Sequence, residues 1–205
     1  MNLTYKILLN ILFLFTFQAY SQDQECTLFF KDGDSVQGYG IIKNNKIKFR
    51  ISLDSKADTW DFENVSKIEF PDFHMLYTYE YVKLNSLDNP KLLELIVDGE
   101  VKLYRLEQTL LFIHMNLEFV DLQKGESILS NYREPKKQTT EVFYLKRKND
   151  EYPTHINIGI LSNWKKMTTT YFSDCDFLVK KIKDNKYTSN QINEIVEFYN
   201  DICRE

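Results

Sequence analysis

The chain is poor in glycine, proline, cysteine and histidine, with 6, 4, 3 and 3 of them among 205 residues. So little glycine and proline argues against long disordered linkers. The three histidines, His74, His114 and His155, are scattered, and no two stand at a metal-ligand spacing such as H-x3-H. There is no Walker loop, no G-x-S-x-G and no H-E-x-x-H. Positive charge is not in excess either. The formal net charge is -4, which removes the bulk electrostatic case for a nucleic-acid partner. No internal repeat is visible. The acidic stretches "KDGDS" and "DSKADTWDFE" miss the EF-hand pattern, because Lys43 and Val65 fall where the terminal glutamate would have to be. These absences set the expectation of a non-enzymatic chain with no cofactor and no metal.

What is present begins at the N-terminus. Lys6 supplies a positive start, and Ile7 to Phe17 is an apolar run broken only by Asn10 and Thr16. Ala19 and Ser21 then place small residues where signal peptidase reads them. The expectation is a signal peptide over 1–21, cut between Ser21 and Gln22. The run is shorter than the ~20 residues that span a bilayer, so membrane contact is expected only through the leader before cleavage. Residues 22–205 are then exported, to the periplasm, the cell surface or the medium, where disulfides persist. Composition there is ordinary for a globular chain, and it suits one domain better than two.

From Cys26 the pattern is that of strands. Ile47, Phe49 and Ile51 alternate with Lys48 and Arg50, as in a half-buried strand, and Asn44-Asn45 before them suits a tight hairpin turn. "LLELIVDGEVKLYRL" reads as a second hairpin, with Asp98-Gly99 expected to supply the positive φ angles of a type I′ turn. Leu110 to Leu122 is the most apolar stretch, read as a central strand or strand pair. Gly125 to Thr140 is read as an exposed loop and "EVFYLKRKN" as another strand. The pattern turns helical after about 157, giving a β-rich part over 22–157 and a helical tail over 158–205. The fold class is α+β: an antiparallel sheet or partial barrel followed by a C-terminal helical hairpin.

The tail carries two helix starts of similar chemistry. In the first, Ser173 is placed as N-cap, with Asp176 at N3 and Phe172 and Phe177 as a staple. In the second, Thr188 caps, Gln191 completes a capping box, and Tyr187 staples Ile192. An antiparallel hairpin linked around Asp184 to Tyr187 brings Cys175 and Cys203 to its open end, and a disulfide there would close it. Simple pairing offsets Cys203 by about one turn, ~6 Å along the axis, which a tilted or frayed helix end has to absorb. The alternatives are a bond from Cys26 or two buried thiols.

The stretches "KDGDSVQGYGII", "LLELIVDGEVKLYR" and "YFSDCDFLVKKIKDNKYTSNQINEIVEFYNDIC" resemble a group of uncharacterised exported proteins of Bacteroidetes-type bacteria. The resemblance implies export and a single fold over the mature chain, and no activity. Asp176 stands where that group would have a proline after the cysteine, and the helix start tolerates it. Asp32-Gly33 followed by Gly38 also resembles the DG-x4-G spacing of Sm-like β-barrels, where the second glycine lets a strand bend. The RNA-reading turn of those barrels is missing.

One aromatic pattern remains. Tyr77, Tyr79 and Tyr81 fall at i, i+2 and i+4, so a strand places all three on one face. They form either a platform for a peptide or glycan or part of a core, and the polar Thr78 and Glu80 between them favour the core. Lys136-Lys137 and Lys146-Arg147-Lys148 form a basic patch or a solvated strand end. The function expected is an exported binding or scaffold protein for an unidentified protein, peptide or glycan. The alternatives are a structural envelope component and a hydrolase-like enzyme of unrecognised class.

Overall fold

A computed structural model describes residues 23–112, 136–158 and 163–203, with the backbone alone at 108–112 and 136–139. Ser21, Gln22, the leader, His114 and the end of the apolar stretch after Phe112 lie outside the described residues. The fold is α+β, with ten antiparallel strands followed by C-terminal helices. The backbone gathers into two compact units that meet in sequence between Tyr81 and Val82.

The N-terminal unit has six strands. They are β1 (Gln24–Phe30), β2 (Ser35–Lys43), β3 (Lys46–Arg50), β4 (Asp58–Trp60), β5 (Val65–Asp72) and β6 (Met75–Val82). Their spatial order is β6-β5-β1-β2-β3-β4. The register pairs Tyr79 with Ile68, Leu28 with Ile68 and with Val36, and Ile42 with Ile47. Alternation therefore collects Leu28, Ile47, Phe49, Ile68 and Phe70 on one inner face, where all are buried. Asn44 and Asn45 have φ of 52° and 61°, so the β2–β3 turn has the left-handed backbone that asparagine tolerates. The sheet curls until β6 reaches this turn, and the Tyr81 hydroxyl donates to the Asn45 carbonyl at 3.0 Å. Gly38 makes that curl possible. A Cβ there would lie 2.4 Å from the Arg50 carbonyl oxygen, so only a residue without one fits.

The second unit has β7 (Lys91–Val97), β8 (Val101–Phe112), β9 (Lys136–Arg147) and β10 (Thr154–Ile156), in the order β10-β9-β8-β7. The helices α1 (Trp164–Tyr171), α2 (Asp176–Lys183) and α3 (Ile192–Ile202) follow, with a short 3-10 turn at Ser189–Gln191 before α3. The stripe of α3, Ile192, Ile195, Val196 and Tyr199, is buried with Leu178 and Ile182 of α2 against Leu103, Phe143 and Leu145 of the strands. The change from strand to helix is thus internal to one unit and one core. Buried Glu94 is neutralised by Arg105 opposite it on β8, at 2.6 Å.

The tail closes as a stapled hairpin. Cys175 and Cys203 are disulfide-bonded, with Cα atoms 5.8 Å apart. The expected one-turn offset does not arise, because neither cysteine is inside a helix. Cys175 is the N-cap of α2, with non-helical backbone angles, and Cys203 is the C-cap of α3. The capping box of Thr188 and Gln191 is formed. Asn185, at φ 56°, ends α2 in a Schellman turn, with Lys186 N–H donating to the Lys181 carbonyl and Asn185 N–H to that of Ile182.

Four expectations are corrected. Ser173 is not a cap, since α2 starts three residues later; Asp174 beside it is held by Arg147. Phe172 and Phe177 do not staple, because Phe172 is fully buried against Tyr199 while Phe177 is exposed beside Phe198. Asp98-Gly99 forms a hairpin without positive φ. The glycine is needed instead because Asn200 of α3 approaches to 2.4 Å from where a Cβ would stand. Finally, residues 136–140 extend β9 rather than a loop, each paired with a residue of β8.

Candidate functional site

The tyrosine stripe lies on the inner, concave face of the N-terminal unit. Pairing with β5 puts Phe70 opposite Tyr77 and Ile68 opposite Tyr79. All three tyrosines are half-buried, so they are neither core nor an open platform. Tyr81 is engaged at the β2–β3 turn and lies edge-on to Phe62 at 6.3 Å. Burial first, and then the nearby Asp61 carboxylate, pushes its hydroxyl up to about 12. Tyr77 and Tyr79 differ in lining a cleft of 360 Å³ with Gln24, Gly40, Ile41, Ile42 and Phe70. Tyr79 stands edge-on to Phe70, with centroids 6.0 Å apart.

The walls of this cleft carry no lysine, arginine, histidine or carboxylate. It offers two phenol rings, aliphatic side chains and one amide. A ligand here would be held by ring stacking and a few hydrogen bonds, since nothing in the cleft could act as a general base near neutral pH. Gly40 shapes the floor. A Cβ on it would lie 2.8 Å from the Cys26 sulfur and 3.3 Å from Ile68 Cδ1. Cys26, the free cysteine, is buried there. Burial first, and then the Asp23 charge, pushes its thiol up to about 12, far from the thiolate that nucleophilic chemistry needs.

Two other concavities are less suited. One, of 370 Å³, is lined by Glu25, Cys26, Thr27, Gln37, Gly38, Tyr39, Ile51 and Pro71 of the N-terminal unit, so the unreactive Cys26 thiol borders it rather than the tyrosine cleft. The other, of 470 Å³, lies on the helical hairpin between Phe177, Lys180, Lys181, Asp184, Lys186 and Tyr187. There Lys181 already sits over the Phe198 and Phe177 rings at 4.2 and 5.0 Å. Of the basic residues read as either a patch or a solvated strand end, the side chains of Lys136 and Lys137 lie outside the described residues, and two of the others are engaged. Arg147 turns inward to Asp174, Tyr199 and the Tyr171 carbonyl, and Lys146 donates to the Asp150 carbonyl. His74 is exposed at a hairpin turn and His155 packs on Tyr144, so neither joins the cleft. Among the described residues no group of three His, Cys, Asp or Glu could hold a metal.

The cleft was only partly legible in the sequence. The stripe at 77, 79 and 81 is visible as a period of two, whereas Gln24, Gly40, Ile41, Ile42 and Phe70 carry no shared period that marks them as one wall. The signal for them was the G-x-G of Gly38 and Gly40 inside a strand, which marks a close approach of neighbouring chain. Compared with protein-family models, with curated proteins and with solved structures, the chain matches none.

Proposed function

We propose that the protein is an exported, non-catalytic binding protein that takes an uncharged ligand, a peptide or a glycan, in the cleft of its N-terminal unit. The observation that carries this reading is the pair Tyr77 and Tyr79, half-exposed beside Phe70 over a glycine floor. Half-exposed rings in a concave, charge-free wall leave apolar area that a ligand can cover. Export is supported by the leader features of residues 1–21, by the resemblance to exported proteins, and by the Cys175–Cys203 bond, a kind that persists in oxidising compartments.

The test is a screen of the 22–205 chain on neutral-oligosaccharide and peptide arrays, with hits measured by calorimetry. Replacing both tyrosines (Tyr77→Ala with Tyr79→Ala) should weaken the hit at least about tenfold. Tyr81→Phe, which removes only the hydroxyl bonded to Asn45, should leave affinity within about twofold. A double variant that stays folded and binds as tightly as the parent would refute the assignment.

A further inference from the structure

Eight large apolar side chains are exposed among the described residues, and three of them belong to one turn of the N-terminal unit. Phe73 at 95%, Met75 at 62% and Leu76 at 57% form the β5–β6 turn and the start of β6. Ile51 at 72% and Leu53 at 56% are in the loop after β3. That loop leaves the end of β3, which runs parallel to β1, whereas the β5–β6 turn leaves the end of β5, which runs antiparallel to it, so the turn stands as a patch of its own. Isolated exposed leucines mean little, but a contiguous set at one tip is the usual mark of an interface.

The chain itself shows what this end faces. β1 and β5 pair antiparallel, Thr27 with Glu69, so the start of β1 lies at the end of β5 that leads into this turn. Only residues 18–23 separate the apolar run ending at Phe17 from β1, a reach of at most about 20 Å. Whenever that run occupies a bilayer, the apolar end is the part of the unit beside the lipid. The turn carries no lysine or arginine, only Asp72 and His74 beside Phe73, so attraction to anionic headgroups is not the driving force.

We propose that this end, with Phe73 at its apex, seats in the interface of a lipid bilayer and keeps the mature chain peripherally bound after its leader is gone. The inference is independent of the cleft, whose residues it does not use. Insertion would bury the three side chains among headgroups and upper acyl carbons while the cleft residues stay in water.

The test uses the 22–205 chain with Trp60→Phe and Trp164→Phe, so that Phe73→Trp is the sole indole. Phosphatidylcholine vesicles should shift its emission to the blue, and lipids brominated on the acyl chain should quench it. Binding should change less than about threefold on adding phosphatidylglycerol or salt, since apolar burial dominates. In the parent chain, replacing Phe73, Met75 and Leu76 together by serine should lower sedimentation with vesicles at least about tenfold without lowering Tm. An unshifted indole would overturn the proposal, as would undiminished sedimentation of the serine variant. Lipid-free dimerisation that the serine variant abolishes would also overturn it, assigning the tip to a second copy of the chain.

Discussion

Reducing the Cys175–Cys203 bond should cost the helical unit about as much as any single covalent or packing change there. The bridge closes a loop with a sequence separation of 28. In the chain-entropy relation this removes about 12 cal/mol/K from the unfolded ensemble, or about 3.6 kcal/mol at 25 °C. With an m-value of about 2 kcal/mol/M in urea, the midpoint should fall by about 1.8 M. Trp164 at the start of α1 is the reporter, in a chain with Trp60→Phe so that it emits alone. The oxidised protein is compared with the same protein reduced and alkylated under denaturing conditions and refolded. Cys175→Ser with Cys203→Ser serves as a check free of added groups. A midpoint shift below about 0.5 M would refute the reasoning, because it would mean that the open hairpin is already constrained in the unfolded chain.

The same unit should weaken in acid through one carboxylate. The hydrogen bond from Arg147, opposed by partial burial and aided by the Tyr199 hydroxyl, holds Asp174 well below the usual carboxylate range. Its folded pKa lies under its unfolded value of about 3.9, so the stabilisation is complete above that value and fades as pH falls below it. Urea midpoints measured from pH 7 to pH 2.5 should drop in the acid range, and Asp174→Asn should flatten part of that drop. Arg147→Met should cost about 2 kcal/mol at pH 7 by stripping Tyr199 and Asp174 of a charged partner, and an unchanged midpoint would contradict the network. In the other unit, Gly40→Ala should destabilise by about 1–3 kcal/mol because its Cβ meets the Cys26 sulfur. Adding Cys26→Ala should recover at least about 0.5 kcal/mol of that, whereas it should do nothing for Gly38→Ala, which strikes the Arg50 backbone; equal behaviour of the two glycines in this cycle would show that the sulfur is not the obstacle.

Local chemistry was the legible part of this protein. Asn44-Asn45 and the Thr188–Gln191 box depend on a few adjacent residues, and both formed as their side chains dictate. The cysteine pair was legible in part: a hairpin brings Cys175 and Cys203 to its open end, although their places as caps, which remove the one-turn offset, were not. What escaped was decided at long range. Gly99 reads as a turn residue, but its neighbour is Asn200. Asp174 looks like part of a helix start, yet Arg147 claims it from β9. Arg147 in turn looks like one of a surface cluster of basic residues. The cleft escaped for the same reason: its walls come from β1, β2, β5 and β6, and only the β6 contribution is periodic within a single stretch. The three-residue β10 had too few residues to show a period at all.

Asn200 imitates a neighbouring strand. Its carboxamide accepts from Val101 N–H and donates to Val101 C=O, both at 2.9 Å, across 99 positions of sequence. Closing so long a loop carries an entropic cost of about 4 kcal/mol that grows only with the logarithm of its length, so the lock forms after its surroundings are ordered. The Val101 amide proton therefore has no route to protection through the β7–β8 turn alone. Its exchange with deuterium times one event, the arrival of the last helix on the sheet, at the resolution of a single atom.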